Sequence, residues 1–365
     1  MKILTIVGAR PNFMKAAPLH RAFLQQVTVE SKIVHTGQHY DARMSDIFFN
    51  QLELPNPDYY LGVATGTQTE QMAEIMLKFE RTLSIEKPDW VVVVGDVTST
   101  IACALVAVRM GVRVAHVEAG LRSGDRRMPE EINRILTDSI ADLLFVTEQA
   151  GLDNLKREGV PNEKIHFVGN AMIDSLVYYR QKAHDLNTVC RLGLTPGSYG
   201  LMTMHRPANV DTETGLLAIV EIAEKIADQL PLLFPIHPRT EANLTKLGLM
   251  DRLRASSTVR LLEPQGYLEF LNLMEYAAVV ITDSGGIQEE TTYLQVPCLT
   301  FRDSTERPVT VELGTNQLLA DLNPKTVSET VKTILAGTVR TGSIPPLWDG
   351  QAAGRIANIL LQTER

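Results

Sequence analysis

The sequence predicts an α/β protein made of two doubly wound domains. Three observations predict it. Short apolar, β-branched runs alternate with longer segments of helical period along the whole chain. The runs are continuously apolar, which marks strands of a parallel sheet covered on both faces. The series also runs once, pauses, and starts again within 365 residues, a length suited to two ordinary domains.

Taken in order, the first series reads "ILTIVG" (3–8), "KIVHTG" (32–37), "WVVVVGD" (90–96), "VRVAHVEA" (112–119), "LLFVT" (143–147) and "IHFVGN" (165–170). The second reads "YGLMTMH" (199–205), "LLFPIH" (232–237), "TVRLLEP" (258–264), "VVITDS" (279–284) and "PCLTF" (297–301). Helical segments such as 98–111 and 213–228 lie between them. The boundary is expected just after Asn170, with "RLGLTPGSYG" as an exposed loop. A last helix near 349–364 suits either domain. Two such series imply two doubly wound sheets.

In open parallel sheets, ligands bind beyond the carboxyl ends of the strands. Chemistry-bearing residues collect there in this chain. In "DSGGIQEE" a strand meets a helix at Ser284-Gly285-Gly286. A helix start offers free amides and partial positive charge to an anion, and glycine lets that anion approach the backbone. Ser284 either caps the helix or donates to a phosphate. Arg307 and Arg10 tip the reading towards an anion site. An exposed Glu290, one turn in, is placed to accept ribose hydroxyls or simply to be solvated.

Asp96 follows four valines, either as a desolvated acid or as a helix cap. Glu118 ends a strand, while Glu130 and Glu131 open a helix, where the dipole alone favours one of them. Arg122, Arg126, Arg127 and Arg134 surround these carboxylates, as a salt-bridged surface or as partners of acid/base groups. His205 ends the first strand of the second series, and His237 stands in the matching place one strand later. Imidazole titrates near neutrality and suits proton transfer.

The composition narrows the function classes. A net charge of −8 argues against nucleic acid or an anionic membrane as the main partner. Cys103, Cys190 and Cys298 are scattered, so neither a disulfide framework nor a zinc site is indicated, which fits a reducing cytoplasm. The N-terminal apolar run is too short for a secretory signal, and no run approaches a membrane span. GxGxxG, GxxxxGK[ST], HExxH and GxSxG are all absent.

The ordered set "GARPNFMKAAP", "TGQHYD", "GDVTST", "HVEAGLRS…MPEEINR", "HFVGN", "HRPANVD", "HPR", "PQGYLEFL", "DSGGIQEE" and "RDSTERPV" resembles the non-hydrolysing UDP-N-acetylglucosamine 2-epimerase family, from residue 3 to about 316. The resemblance implies a GT-B fold, with two Rossmann-like domains facing across a cleft. These would be residues 1–170 with a C-terminal helix at about 352–365, and residues 171–351. It implies a cytoplasmic, homodimeric isomerase acting on a UDP-sugar without cofactor or metal, supplying UDP-ManNAc for surface polysaccharides. In the implied mechanism a base removes the C2 proton as UDP leaves C1. A 2-acetamidoglucal forms, and proton and UDP then add back with C2 inverted. The acid/base group would be Asp96, Glu118, Glu131 and His205. The UDP site would be Arg10, Lys15, Ser284, Gly285, Gly286, Glu290 and Arg307, with Gln265 and Phe270 near uracil and His237 a further substrate contact. "QHYD" and "ATGTQTE" depart from the pattern expected for activation by a second substrate molecule. A GT-B glycosyltransferase, a UDP-sugar sensor, and an epimerase for a UDP-diacetamido-uronic acid are the competing readings.

Overall fold

A computed structural model describes residues 1–8, 10–37, 54–63, 66–338 and 341–363. They form two compact units, Met1–Tyr178 with Pro346–Arg365, and Tyr179–Pro345.

The first unit holds a seven-stranded sheet in the order β3-β2-β1-β4-β5-β6-β7. Its strands are β1 (Lys2–Val7), β2 (Glu30–His35), β3 (Tyr59–Tyr60), β4 (Trp90–Val94), β5 (Arg113–Ala119), β6 (Leu143–Val146) and β7 (Ile165–Phe167). All pairs are parallel. Successive residues face opposite sides of the sheet, so β4 supplies both layers of core. Val91 and Val93 pack with Phe79 and Cys103, while Trp90, Val92 and Val94 pack with Leu19 and Phe23. That double burial is why "WVVVV" carries no polar alternation.

The second unit holds a six-stranded parallel sheet, β10-β9-β8-β11-β12-β13. Its strands are β8 (Gly200–Thr203), β9 (Leu232–Pro235), β10 (Val259–Leu262), β11 (Val279–Thr282), β12 (Cys298–Phe301) and β13 (Asn316–Leu319). Two strands escape sequence reading. β3 is two residues long, and β13 opens on two amide side chains, Asn316 and Gln317.

The units divide inside the helix Ala171–Leu186, past Asn170. The first half of that helix is tied to the first unit. Ser175 donates to the Met14 carbonyl, and the Asp174 carboxylate accepts from the amides of Ala352 and Ala353 at 3.1 and 2.7 Å. Those amides open the helix Ala352–Gln362. Ile356 and Leu360 of that helix are fully buried in the first unit's core. Each such side chain contributes about 1.5–3 kcal/mol relative to exposure.

No helix among the described residues is long and apolar enough to cross a membrane.

Candidate functional site

In the first unit β4 ends at Val94, and the chain turns at Gly95, where φ is 67°. The next residue, Asp96, pairs with Arg134 Nη2 at 2.6 Å, and Asn133 Nδ2 donates to its carbonyl at 2.8 Å. Asp96 does not cap the following helix; Val97 occupies that position, without a side-chain cap bond.

Glu118 lies inside β5 with φ at 75°, where the register shifts between Val117 and Ala119. A non-glycine residue held in the left-handed region costs about 1–3 kcal/mol and persists only where its surroundings hold it. Its carboxylate forms an ion pair with Lys15, and both side chains are buried. Lys15, expected at the nucleotide, is therefore occupied with a carboxylate of its own unit. Arg10 opens the helix Arg10–Leu24, but its side chain lies outside the described residues.

Glu131 is buried and saturated. It accepts from the Ser123 amide (2.8 Å), the Ser123 hydroxyl (3.0 Å), the Gly124 amide (3.0 Å) and Arg134 Nη1 (2.8 Å). Burial alone would raise its pKa, but these donors outweigh it and hold the carboxyl below its ordinary value. Glu131 thus fixes Arg134, which in turn meets Asp96. Glu130 is exposed, and Arg127 pairs locally with Asp125 at 2.8 Å. Arg122 pairs with Glu158 at 2.7 Å, so the loop is in part the salt-bridged surface of the plainer reading.

In the second unit, His205 follows β8 and its Nδ1 lies 2.9 Å from Asp283 Oδ1. Asp283 follows β11, the neighbouring strand. The same carboxylate accepts from the amides of His205 and Arg206 and from Asn209. Burial would raise the Asp283 pKa, but His205, the Arg206 amide and Asn209 lower it. An ionised Asp283 makes Nδ1 the protonated ring nitrogen, leaving Nε2 for other work. His237 Nδ1 accepts from the Arg239 amide at 3.2 Å, and the two imidazole rings are 5.7 Å apart.

Ser284 precedes the helix Gly285–Leu294 and makes no side-chain cap bond, so the capping alternative is not realised. Gly286 is the second residue of that helix. The need for glycine at 285 is more specific than phosphate approach. A Cβ there would lie 3.1 Å from Arg302 Nη2 and 3.3 Å from Arg307 Nη1. Two guanidinium groups therefore crowd the helix start. Arg307 pairs with Glu289 at 3.0 Å and with Glu306, and Arg302 pairs with Glu306 at 2.9 Å. Burial pulls the Arg302 pKa down to about 10.

Glu290 corrects the expectation of an exposed carboxylate. It is 5% exposed and accepts from the Tyr267 hydroxyl at 3.0 Å. Gln265 Nε2 donates to the Glu263 carbonyl at 2.8 Å, just before the helix Tyr267–Glu275 that carries half-buried Phe270. "QHYD" and the first two residues of "ATGTQTE" lie outside the described residues.

Sequence reasoning missed Asp283, Arg302, Glu289 and Tyr267. The strand-end rule would have found two of them, because Asp283 follows β11 and Arg302 follows β12 directly. Glu289 and Tyr267 sit within helices, where strand ends give no signal.

Comparisons with known proteins bear on this arrangement. The profile of the UDP-N-acetylglucosamine 2-epimerase family matches residues 21–361. The UDP-N-acetylglucosamine 2-epimerase of Methanocaldococcus jannaschii is 41% identical over 99% of both chains. The UDP-2,3-diacetamido-2,3-dideoxy-D-glucuronate 2-epimerase of Pseudomonas aeruginosa is 42% identical, again over 99% of both. A crystal structure of the M. jannaschii UDP-GlcNAc 2-epimerase in complex with UDP-GlcNAc and UDP has a TM-score of 0.90 at 42% identity. It covers 99% of this chain and 100% of that one.

Proposed function

The chain belongs to the UDP-N-acetylglucosamine 2-epimerase family, and on that premise we propose that it interconverts UDP-GlcNAc and UDP-ManNAc by inverting C2. Its two doubly wound units are of the GT-B type. The observation that carries the proposal is Glu118, a carboxylate held in a left-handed bulge against a buried lysine. A fold seeking only stability would place glycine there.

In this reading the second unit holds the nucleotide and the first carries the acid/base carboxylates. The amides of Gly285 and Gly286, with Arg302 and Arg307, take the diphosphate. Gln265 and Phe270 lie at the uracil, Glu290 at the ribose, and Arg10 and His237 meet the diphosphate or sugar. Asp96 and Glu118 flank C2. One takes the C2 proton; the C–H electron pair forms the C1–C2 double bond, and the C1–O pair leaves with UDP. Return requires a proton on the opposite face of C2 and attack by a UDP oxygen at C1. Two carboxylates from different strands supply the two faces. Glu131, saturated by donors, acts through Arg134 on Asp96. His205, braced by Asp283, serves the departing diphosphate through Nε2.

Proton NMR of UDP-GlcNAc with the protein in D2O tests the proposal. The expected result is UDP-ManNAc with deuterium at C2 in both epimers. An unchanged spectrum without an acceptor would favour a transferase, and binding without C2 exchange a sensor. The Pseudomonas relative is as similar as the M. jannaschii one, so a UDP-2,3-diacetamido-uronic acid is the second reading. Running both sugars in parallel ranks them by kcat/KM.

The proposal includes a cytoplasmic homodimer. Leu77 and Ile85, Leu105 and Val108, and Leu136 are exposed on three helices that pack in sequence, Gln68–Glu86, Thr98–Arg109 and Pro129–Ile140. Exposed apolar groups on adjacent helices suit a self-complementary contact. Sedimentation at micromolar concentration checks the mass.

A further inference from the structure

Two buried ionisable groups in the first unit have no part in the chemistry just described. His116 lies on β5, two residues before Glu118, and is 0% exposed. Asp138, on the helix Pro129–Ile140, is 3% exposed. We propose that His116 and Asp138 are positioning residues that hold the backbone on either side of the two reactive carboxylates, an inference that rests on the epimerase reading.

Their bonds are spent on backbone groups at the strand ends. His116 Nε2 donates to the Gly95 carbonyl at 2.8 Å, one residue before Asp96. The Gly95 amide donates to the Val117 carbonyl at 3.0 Å, one residue before Glu118. His116 Nδ1 meets Asp138 Oδ1 at 2.6 Å. Asp138 Oδ2 accepts from the Gly120 amide at 3.1 Å, two residues after Glu118, and from Arg122 at 2.7 Å. Arg122 continues to Glu158.

Both ring nitrogens of His116 face acceptors, a carbonyl and a carboxylate, and the Asp138 carboxylate meets the His116 ring, the Gly120 amide and Arg122. His116 and Asp138 are both buried, so removing either leaves a buried polar group without its partner. Gly120 also leaves no room for a side chain, since a Cβ there would lie 2.5 Å from the Gly151 carbonyl oxygen.

A buried pair serving stability alone would have no reason to bond the residues flanking Asp96 and Glu118. The strained backbone of Glu118 persists only where its surroundings over-determine it. Here the determinants are Gly95 on one side and Gly120 on the other, joined through one His–Asp pair. Misplacing reacting groups by about 1 Å can cost roughly a hundredfold in rate.

The test uses the full-length enzyme with His116→Gln, His116→Leu and Asp138→Asn, measuring kcat, KM for UDP-GlcNAc and UDP affinity by calorimetry. Glutamine keeps one N–H for the Gly95 carbonyl; leucine keeps none. Expected are a kcat lowered about tenfold to a hundredfold for Leu and Asn, a smaller loss for Gln, and UDP affinity within about threefold of wild type throughout. Unchanged kcat in His116→Leu overturns the inference. So does loss of UDP binding in parallel with kcat, which would mean general unfolding. Absence of C2 exchange in the wild type overturns the epimerase reading, and this inference with it. Normal wild-type exchange with unimpaired variants overturns the inference alone.

Discussion

Both sheets reverse their strand order once, between β1 and β4 in the first unit and between β8 and β11 in the second. The side chains collected at the two reversals differ in kind. The first presents the carboxylates Asp96 and Glu118, each met by a cation, Arg134 and Lys15. The second presents His205, a helix N-terminus and two guanidinium groups, with carboxylates lying beneath them. Strain is also unevenly placed. The left-handed non-glycine residue at a strand end, among the described residues, is Glu118 in the first unit. In the second, the left-handed non-glycine residues among those described are Asn187 and Gln295, each of which follows the end of a helix. On the proposed reading, ligand binding is built from relaxed backbone amides, while the acid/base carboxylate is held under tension. That is the distribution expected when one unit binds and the other reacts.

The largest effect should come from separating those two duties. Glu118→Gln removes the carboxylate and leaves Lys15 buried without its partner charge. Turnover is expected to fall by roughly a hundredfold or more, with UDP affinity within a few fold. Calorimetry on the same sample counts folded protein, because the orphaned lysine also costs stability. A fully active variant would remove Glu118 from the mechanism.

A smaller effect of opposite character is expected in the second unit. Gly285→Ala places a methyl group against Arg302 and Arg307. The guanidinium groups must shift by a few tenths of an ångström, and UDP affinity should fall about tenfold, a change of about 1.4 kcal/mol. The kcat at saturation should stay within a few fold of wild type. A kcat loss as deep as that of Glu118→Gln would erase the division of labour.

The same contrast explains what was legible in the sequence. Strand positions were legible because β4, β8 and β11 are almost wholly buried and carry no polar residue before a closing threonine, which only β8 and β11 have. β13 was not, because Asn316 is buried for its hydrogen bonds to Thr300 and Gln288. Strand ends pointed to Asp96, Glu118 and His205 as candidates, and the structure sets each against a partner, Arg134, Lys15 and Asp283. What they could not give is partnership. Lys15 reads as a phosphate ligand and Glu131 as an acid/base group, and nothing in the sequence shows the contact of Lys15 with Glu118 or the four donors around Glu131. Such pairings join residues dozens of positions apart, and periodicity carries no record of them.

The finest test concerns Glu290, whose carboxyl is pushed up to about 7 from 4.5. Burial is the main cause; the Tyr267 hydroxyl works against it, and neighbouring Glu289 adds to it. The sign follows from proton counting. Below pH 4.5 the group is protonated in both folded and unfolded chains and contributes no difference. Between 4.5 and about 7 the unfolded chain ionises while the folded one resists, so stability falls as pH rises, by about 3 kcal/mol in all. Glu290→Gln stays neutral at every pH and keeps an acceptor for Tyr267. It should match wild type in denaturant melts near pH 4 and exceed it at pH 8. Its UDP affinity should be weaker at pH 8 and flat with pH, whereas wild-type affinity should rise from pH 6 to 8 as a carboxylate able to accept ribose hydroxyls forms. A carboxyl kept for structure alone would give the stability gain without the change in affinity. Only a group whose ionisation serves the nucleotide would show both.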